Sequence, residues 1–275
     1  MVDTAARPRR AGRRPLLAGP GRQRARWGRR SLIWAGVVAA YWYSLRLTDV
    51  DLGRLARGLS TMAGWAASSW PPSGQDLSLI AARAAETAAI ALIGTTLAAA
   101  IAAVLSVPAA RNVTPRLAAR LPARLVLNTL RGVDSFVFAL LFVAAVGLGP
   151  FAGMLGIALH TAGSMGKLFA ETIEGLPAGP VEAAGLTGAS RLKVAVYALA
   201  PDALPALASV ALYMLEFNIR SSIVLGVVGA GGIGQQLKNS LELLDFPRVL
   251  TILMVILDMV TAVDQASSRL RRHLS

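Results

Sequence analysis

The sequence predicts an all-α integral membrane protein with about six transmembrane helices, and three observations lead there. Hydrophobic residues make up 55% of the 275-residue chain and charged residues only 16%, where soluble domains carry about a quarter charged. The apolar residues gather in runs long enough to cross a hydrocarbon core. No stretch alternates apolar and polar residues as a half-buried strand would.

The chain opens with an arginine-rich head, residues 1–30, holding ten arginines between Arg7 and Arg30. Positive charge directly before an apolar run holds a segment in the cytoplasm. A nucleic-acid-binding tail is the competing reading of a net charge of +13, but its placement before an apolar run favours a membrane role and no nucleic-acid partner. The head is too long for a cleaved signal peptide, and the apolar segment after it is too aromatic and lacks a small-residue cleavage site.

Residues 31–76 hold a first span and an outer amphipathic helix. The run SLIWAGVVAAYWYSLRL is short for a span, with Tyr41, Trp42 and Tyr43 placed for an interfacial aromatic belt. After it Leu52, Leu55, Leu59, Met62 and Trp65 recur near helical spacing until Pro71-Pro72 ends the pattern. A core over residues 77–266 supplies the remaining spans: 77–107, stopped by Pro108; 133–148, leading into Gly149-Pro150; 151–169; 203–228; and 249–266. Residues 267–275 form a tail.

Loop charges orient this arrangement with both termini in the cytoplasm. Arg111, Arg116, Arg120, Arg124, Arg191, Lys193, Arg269, Arg271 and Arg272 fall in inner segments. The outer ones mix Arg54, Arg57, Lys238 and Arg248 with Asp49, Asp51, Asp76, Glu242 and Asp245. Cysteine is absent, which excludes disulfide and thiol chemistry. Two histidines, His160 and His273, are too few for a metal cluster. No cofactor is expected in this chain.

The cytoplasmic segment 171–200 is polar yet patterned. Pro180 suits the first turn of a short helix over 181–186, and Gly188 suits its stop. Ser190 caps a second helix over 191–199, which Pro201 ends. The result is an exposed elbow, EAAGLTGASRLKVAVYALAP. Read from its residues alone it also fits an ordinary helical hairpin loop of some other transporter.

Glu182-Ala183-Ala184, then three residues, Gly188, and Pro201 thirteen positions later resemble the EAA loop of ATP-binding-cassette importer permeases. The chain departs from that pattern with Ala198 and Ala200 where isoleucine and leucine stand. The resemblance implies an elbow seated in a cleft of a cytoplasmic ATPase, with Glu182, Ala183, Ala184, Gly188 and Pro201 as the coupling residues. ETAAIALIGTTLAAAIA, FVAAVGLGPFAGMLGIALHTAGSMGKLFAE and LEFNIRSSIVLGVVGAGGIGQQL together look like the permeases of phosphonate and phosphite importers. The GAGG stretch alone is shared with methionine and quaternary-amine importers.

The likeness covers roughly residues 77–266. It implies a type I importer permease fold in the plasma membrane, paired with a second permease. Two ATPase subunits holding ATP and Mg, and an extracytoplasmic phosphonate-binding protein, complete the implied complex. A self-powered secondary transporter is the rival. It would show an internal repeat and mid-membrane coupling carboxylates.

Gly229, Gly231 and Gly234 have the G-x-G-x-x-G spacing of a dinucleotide fold. That fold needs a strand before the glycines and an acid about 20 residues beyond. The glycines are preceded instead by the apolar run 203–228, about 39 Å as a helix, and TILMVILDMV lies beyond them. Gly229, Gly231, Gly232 and Gly234 are therefore expected to form an outer turn where helices approach closely. Ser164 and Lys167 have S-x-x-K spacing without the accompanying hydrolase motifs. Lys167 and Glu171 fit an i,i+4 ion pair.

Ionisable residues within spans are costly and face a bundle interior. They are Glu86, Asp134, His160, Glu216, Arg220 and Asp258. Glu216, Asn218, Arg220, Ser221 and Ser222 make a candidate translocation path. Glu216 and Arg220, one helical turn apart, form either a self-satisfying ion pair or a path whose guanidinium meets an oxyanion. No convergent acid, base and metal set suggests a membrane enzyme.

Overall fold

In a computed structural model the chain is described over residues 20–49, 51–114, 116–177, 179, 186, 188, 191–194, 197 and 200–274. Contacts divide it into two compact units, residues 1–62 and 63–275.

In the first unit, α1 (Pro20–Leu47) runs through the aromatic belt, where the Arg46 guanidinium lies 5.0 Å over the Trp42 ring. Its apolar part, Leu32–Leu47, is shorter than a crossing helix. Asp51 starts α2 (Leu52–Ser68) by accepting from the Gly53 and Arg54 amides at 2.8 and 3.1 Å.

The second unit is a helical bundle built on small residues. Its central pair is α3 (Leu77–Ala109) and α6 (Pro150–Glu174). Alanine and glycine let these helices and their neighbours meet through backbone. A Cβ at Gly163 would sit 2.4 Å from the Arg131 nitrogen, and one at Gly156 2.8 Å from the Ala139 nitrogen. Such close approach is how helices associate where lipid removes the hydrophobic drive between them. The C-terminal end of α2 joins this unit, its Trp65 ring stacked on Phe246 at 5.2 Å.

The expected span 133–148 is corrected by the structure. Its helix is α5 (Ser135–Val146), and the residues before it, expected as a loop, form α4 (Leu117–Gly132), bent by 85° from α5 at Val133 and Asp134. Arg120 and Arg124 therefore sit on a helix and not in a loop. Two residues expected to be buried charges support the break. Asp134 accepts from the Phe136 amide at 2.8 Å, capping α5, and His160 Nδ1 lies 2.8 Å from the Val133 carbonyl.

After the segment carrying α7 (Arg191–Val194), α8 (Ala200–Gly226) and α10 (Phe246–Leu274) complete the bundle, separated by α9 (Gly232–Glu242). Pro201, expected to stop a helix, stands inside α8. The expectation of about six spans meets a smaller set of helices that pass on length and composition alone. Among the described residues three helices are long and apolar enough to cross a membrane, with up to one more if the bent pair makes one span. Helix α6 is shielded by α3, α4, α5 and α8, so it keeps His160, Thr161 and Ser164 and reads as less apolar. The part of α10 in the crossing set, Phe246–His273, and α3 retain the strongest apolar runs.

Candidate functional site

Three groups of side chains hold this bundle at its ends and middle. At the glycine turn, α8 ends at Gly226 and the chain reverses through Gly229, Gly231 and Gly232, whose φ values are +88, +79 and +75. L side chains rarely adopt that region. Gly234 answers a different need: a Cβ there would lie 1.8 Å from the Ile223 carbonyl oxygen, so α8 and α9 touch backbone to backbone. The first free amides of α9 are met from α3. Gly232 N–H donates to Glu86 Oε1 at 3.2 Å and Ile233 N–H to Thr87 Oγ1 at 2.8 Å. Arg83 neutralises the far oxygen of Glu86 at 2.6 Å. The glycine-rich turn thus presents helix amides to an anion, and that anion is the chain's own carboxylate.

In the middle, Asn218 is 1% exposed and joins three helices. It accepts from Thr161 Oγ1 of α6 at 3.0 Å and donates to Thr95 Oγ1 of α3 at 2.8 Å, while Thr95 donates to the Ala91 carbonyl at 2.6 Å. Every polar atom in the clasp has a role consistent with its neighbours. Ser222 is equally buried and its Oγ has no partner among the described residues; Ser221 is half-buried. The five path candidates therefore do not share one face. Arg220 points outward, Asn218 and Ser222 point into the bundle, and the Glu216 side chain is 12% exposed.

The self-satisfying pair, one of the two readings of Glu216 and Arg220, is not formed. Arg220 Nη2 donates to both carboxylate oxygens of Asp264 at 3.0 and 2.8 Å. Glu216 Oε1 lies 2.7 Å from Arg271 Nη2, an ion contact without the alignment of a hydrogen bond. Helix α10, antiparallel to α8, supplies nearer opposite charges than α8 supplies to itself. Among the described residues Asp258 has no hydrogen bond or ion pair and lies exposed on α10.

At the opposite end from the glycine turn, Glu174 ends α6 and Gly175 caps it. The Glu174 carboxylate accepts from the Arg111 backbone amide at 2.7 Å and from Arg124 Nη2. Arg124 Nε donates to the Ala109 carbonyl at 2.9 Å and Asn112 Nδ2 to the Ile173 carbonyl at 2.7 Å. Lys167 and Glu171 approach to 3.7 Å, the expected helix-surface pair. Of the coupling residues, Glu182, Ala183 and Ala184 lie outside the described residues. Gly188 is exposed with φ +74.

Residues 97–274 match the family of binding-protein-dependent transport system inner membrane components. The chain belongs to this family. It is 45% identical over 88% of its length to HtxC of Stutzerimonas stutzeri, provisionally named a phosphite transport system permease protein, and covers 84% of that protein. It is 39% identical over 90% of its length to PtxC of the same organism, a phosphite transport system permease protein, covering 88% of it. Its fold is similar to a chain of the MetNI methionine ABC transporter in an inward-facing conformation, with a TM-score of 0.65, 21% identity, and coverage of 74% of this chain and 99% of that one. Members of this family are membrane components of transport systems, and the glycine motif belongs to helix packing.

Sequence reasoning missed Thr87, Glu174, Asp264 and Arg271. Glu174 meets Arg124 across 50 residues and Ile233 meets Thr87 across 146, so no local spacing marks either contact. The one available signal was composition: carboxylates and hydroxyls inside apolar runs need partners.

Proposed function

We propose that the chain is the membrane-spanning permease subunit of an ATP-driven importer of phosphite- or phosphonate-type oxyanions. The observation that carries it is the likeness to HtxC and PtxC over 88% and 90% of this chain. The permease would sit in the bacterial plasma membrane with both termini inside and pair with a second permease, a copy or a sibling. Two cytoplasmic ATPases would supply ATP and Mg, and an extracytoplasmic binding protein would deliver the anion. The segment around Glu182 and Gly188 would take the ATPase stroke and swing the bundle between outward-open and inward-open states.

Arg220 is the residue we assign to the anion. Its Nε and Nη1 have no partner among the described residues and its side chain is 53% exposed. A guanidinium presents a planar donor fork that matches phosphorus oxyanions, and the Asp264 carboxylate would keep it neutralised between transport events. Stimulation of ATP hydrolysis in the reconstituted complex by a panel of oxyanions, each with its binding protein, tests the assignment. Stimulation by phosphite or a phosphonate supports it; stimulation by methionine or a quaternary amine alone refutes the substrate class.

A further inference from the structure

The two ends of the 175–200 segment are attached to the bundle in different ways. Where the chain leaves α6, the attachment is polar and multiple. Glu174 grips the Arg111 amide and the Arg124 guanidinium, Arg124 grips the last carbonyl of α3 at Ala109, and Asn112 grips the Ile173 carbonyl. The Glu174 side chain is 21% exposed. Ala109, Ala110, Ala123, Leu127, Ala170 and Ile173 form a buried apolar cluster directly beneath. Where the chain rejoins at α8, residues 200–209 make no hydrogen bond or ion pair to another helix among the described residues. That end faces α3 and the last turn of α6 across a mostly apolar crevice of about 170 Å3, whose lining includes Ser106 and Val107 of α3, Ile173 of α6, and Ala200, Ala203 and Leu207.

We infer that Glu174 is a positioning residue for energy coupling: it welds the departure point of the segment to α3 and α4, so that displacement of the segment moves those helices together with α6. This rests on the proposed role of the segment as the ATPase contact. A joint transmits displacement only if it is stiffer than the element it drives. Charge-assisted bonds at a half-buried site, aimed at three separate pieces of chain, provide that stiffness. Apolar contacts across a crevice slide, because dispersion has no preferred direction. Drive therefore enters through α6, and the start of α8 is carried along.

The test is transport per ATP in proteoliposomes holding the full complex with its binding protein. Glu174→Gln keeps the shape and removes the charge. Arg124→Lys keeps the charge and loses the fork that reaches Glu174 and Ala109 at once. Both are expected to retain substrate-stimulated ATP hydrolysis while uptake per ATP falls about tenfold, the scale of one charged hydrogen bond. Unchanged uptake per ATP in either variant, with normal assembly, overturns the inference.

If neither variant assembles, the double variant Arg111→Cys/Glu174→Cys decides, since the chain has no other cysteine. Bridging the pair with a short bismaleimide should restore uptake per ATP relative to the unbridged sample. Equal coupling with and without the bridge overturns the inference. Glu182→Ala in the same assay separates the two levels. If it uncouples while Glu174→Gln does not, only the weld is wrong. If Glu182→Ala leaves coupling intact, the segment is not the coupler.

Discussion

Ile233 of α9 donates its backbone N–H to Thr87 of α3 at 2.8 Å, and the neighbouring Gly232 amide donates to Glu86. A helix start that no residue of its own caps is thereby closed from another helix. Replacing Thr87 with Val keeps the shape and strands a buried N–H. It should cost roughly 1–3 kcal/mol, read as a lower unfolding midpoint in detergent. Glu86→Gln, which retains an acceptor oxygen, should cost less. Equal midpoints for Thr87→Val and the parent would show that the cap is not needed.

Asn218 holds Thr95 and Thr161 together in the bundle interior. Asn218→Leu should lower the unfolding midpoint by removing both bonds. Asn218→Asp should be worse, because it buries a charge with no cation among its hydrogen-bond partners. The order parent, Leu, Asp in midpoint and yield is the expected outcome. Asp matching the parent would mean that water reaches this site.

Arg220 and Asp264 make opposite predictions about substrate. Arg220→Gln should raise the apparent KM for oxyanion uptake about tenfold or more, the loss of one charged contact. Asp264→Asn frees the guanidinium and should lower that KM. Both need a normally assembled complex, checked by copurification. An unchanged KM in Arg220→Gln would confine Arg220 to a structural pair.

Leu186 is 90% exposed in the segment after α6. Leu186→Cys, in a chain without cysteine, should react with a membrane-impermeant maleimide in inside-out vesicles and not in intact cells. The reverse pattern would invert the proposed orientation.

Much of the fold was legible because its physics is local. Apolar runs marked α3, α8 and the start of α10 within a few residues, while the end of α10 runs to Leu274, eight residues past the expected 266, and Pro71-Pro72 and Gly149-Pro150 marked turns. The boundary at Val133 was legible, but the helix before it, α4, was not: its 85° turn into α5 is held by His160, across 27 residues, taking the Val133 carbonyl that a continuous helix would have used. Glu216 and Arg220 misled for a related reason. Spacing along one helix shows which charges are near each other, but not that Asp264 and Arg271 on α10 are nearer. The glycines read as a turn from sequence alone, yet that their amides face Glu86 of α3 was visible only in three dimensions.

The most direct measurement is ATP-dependent uptake of radiolabelled phosphite or a phosphonate by proteoliposomes containing this permease, its ATPase and its binding protein. Accumulation that requires ATP, the binding protein and an intact Glu182 segment is the predicted result. Accumulation that proceeds without the ATPase, driven by an ion gradient alone, would contradict the account.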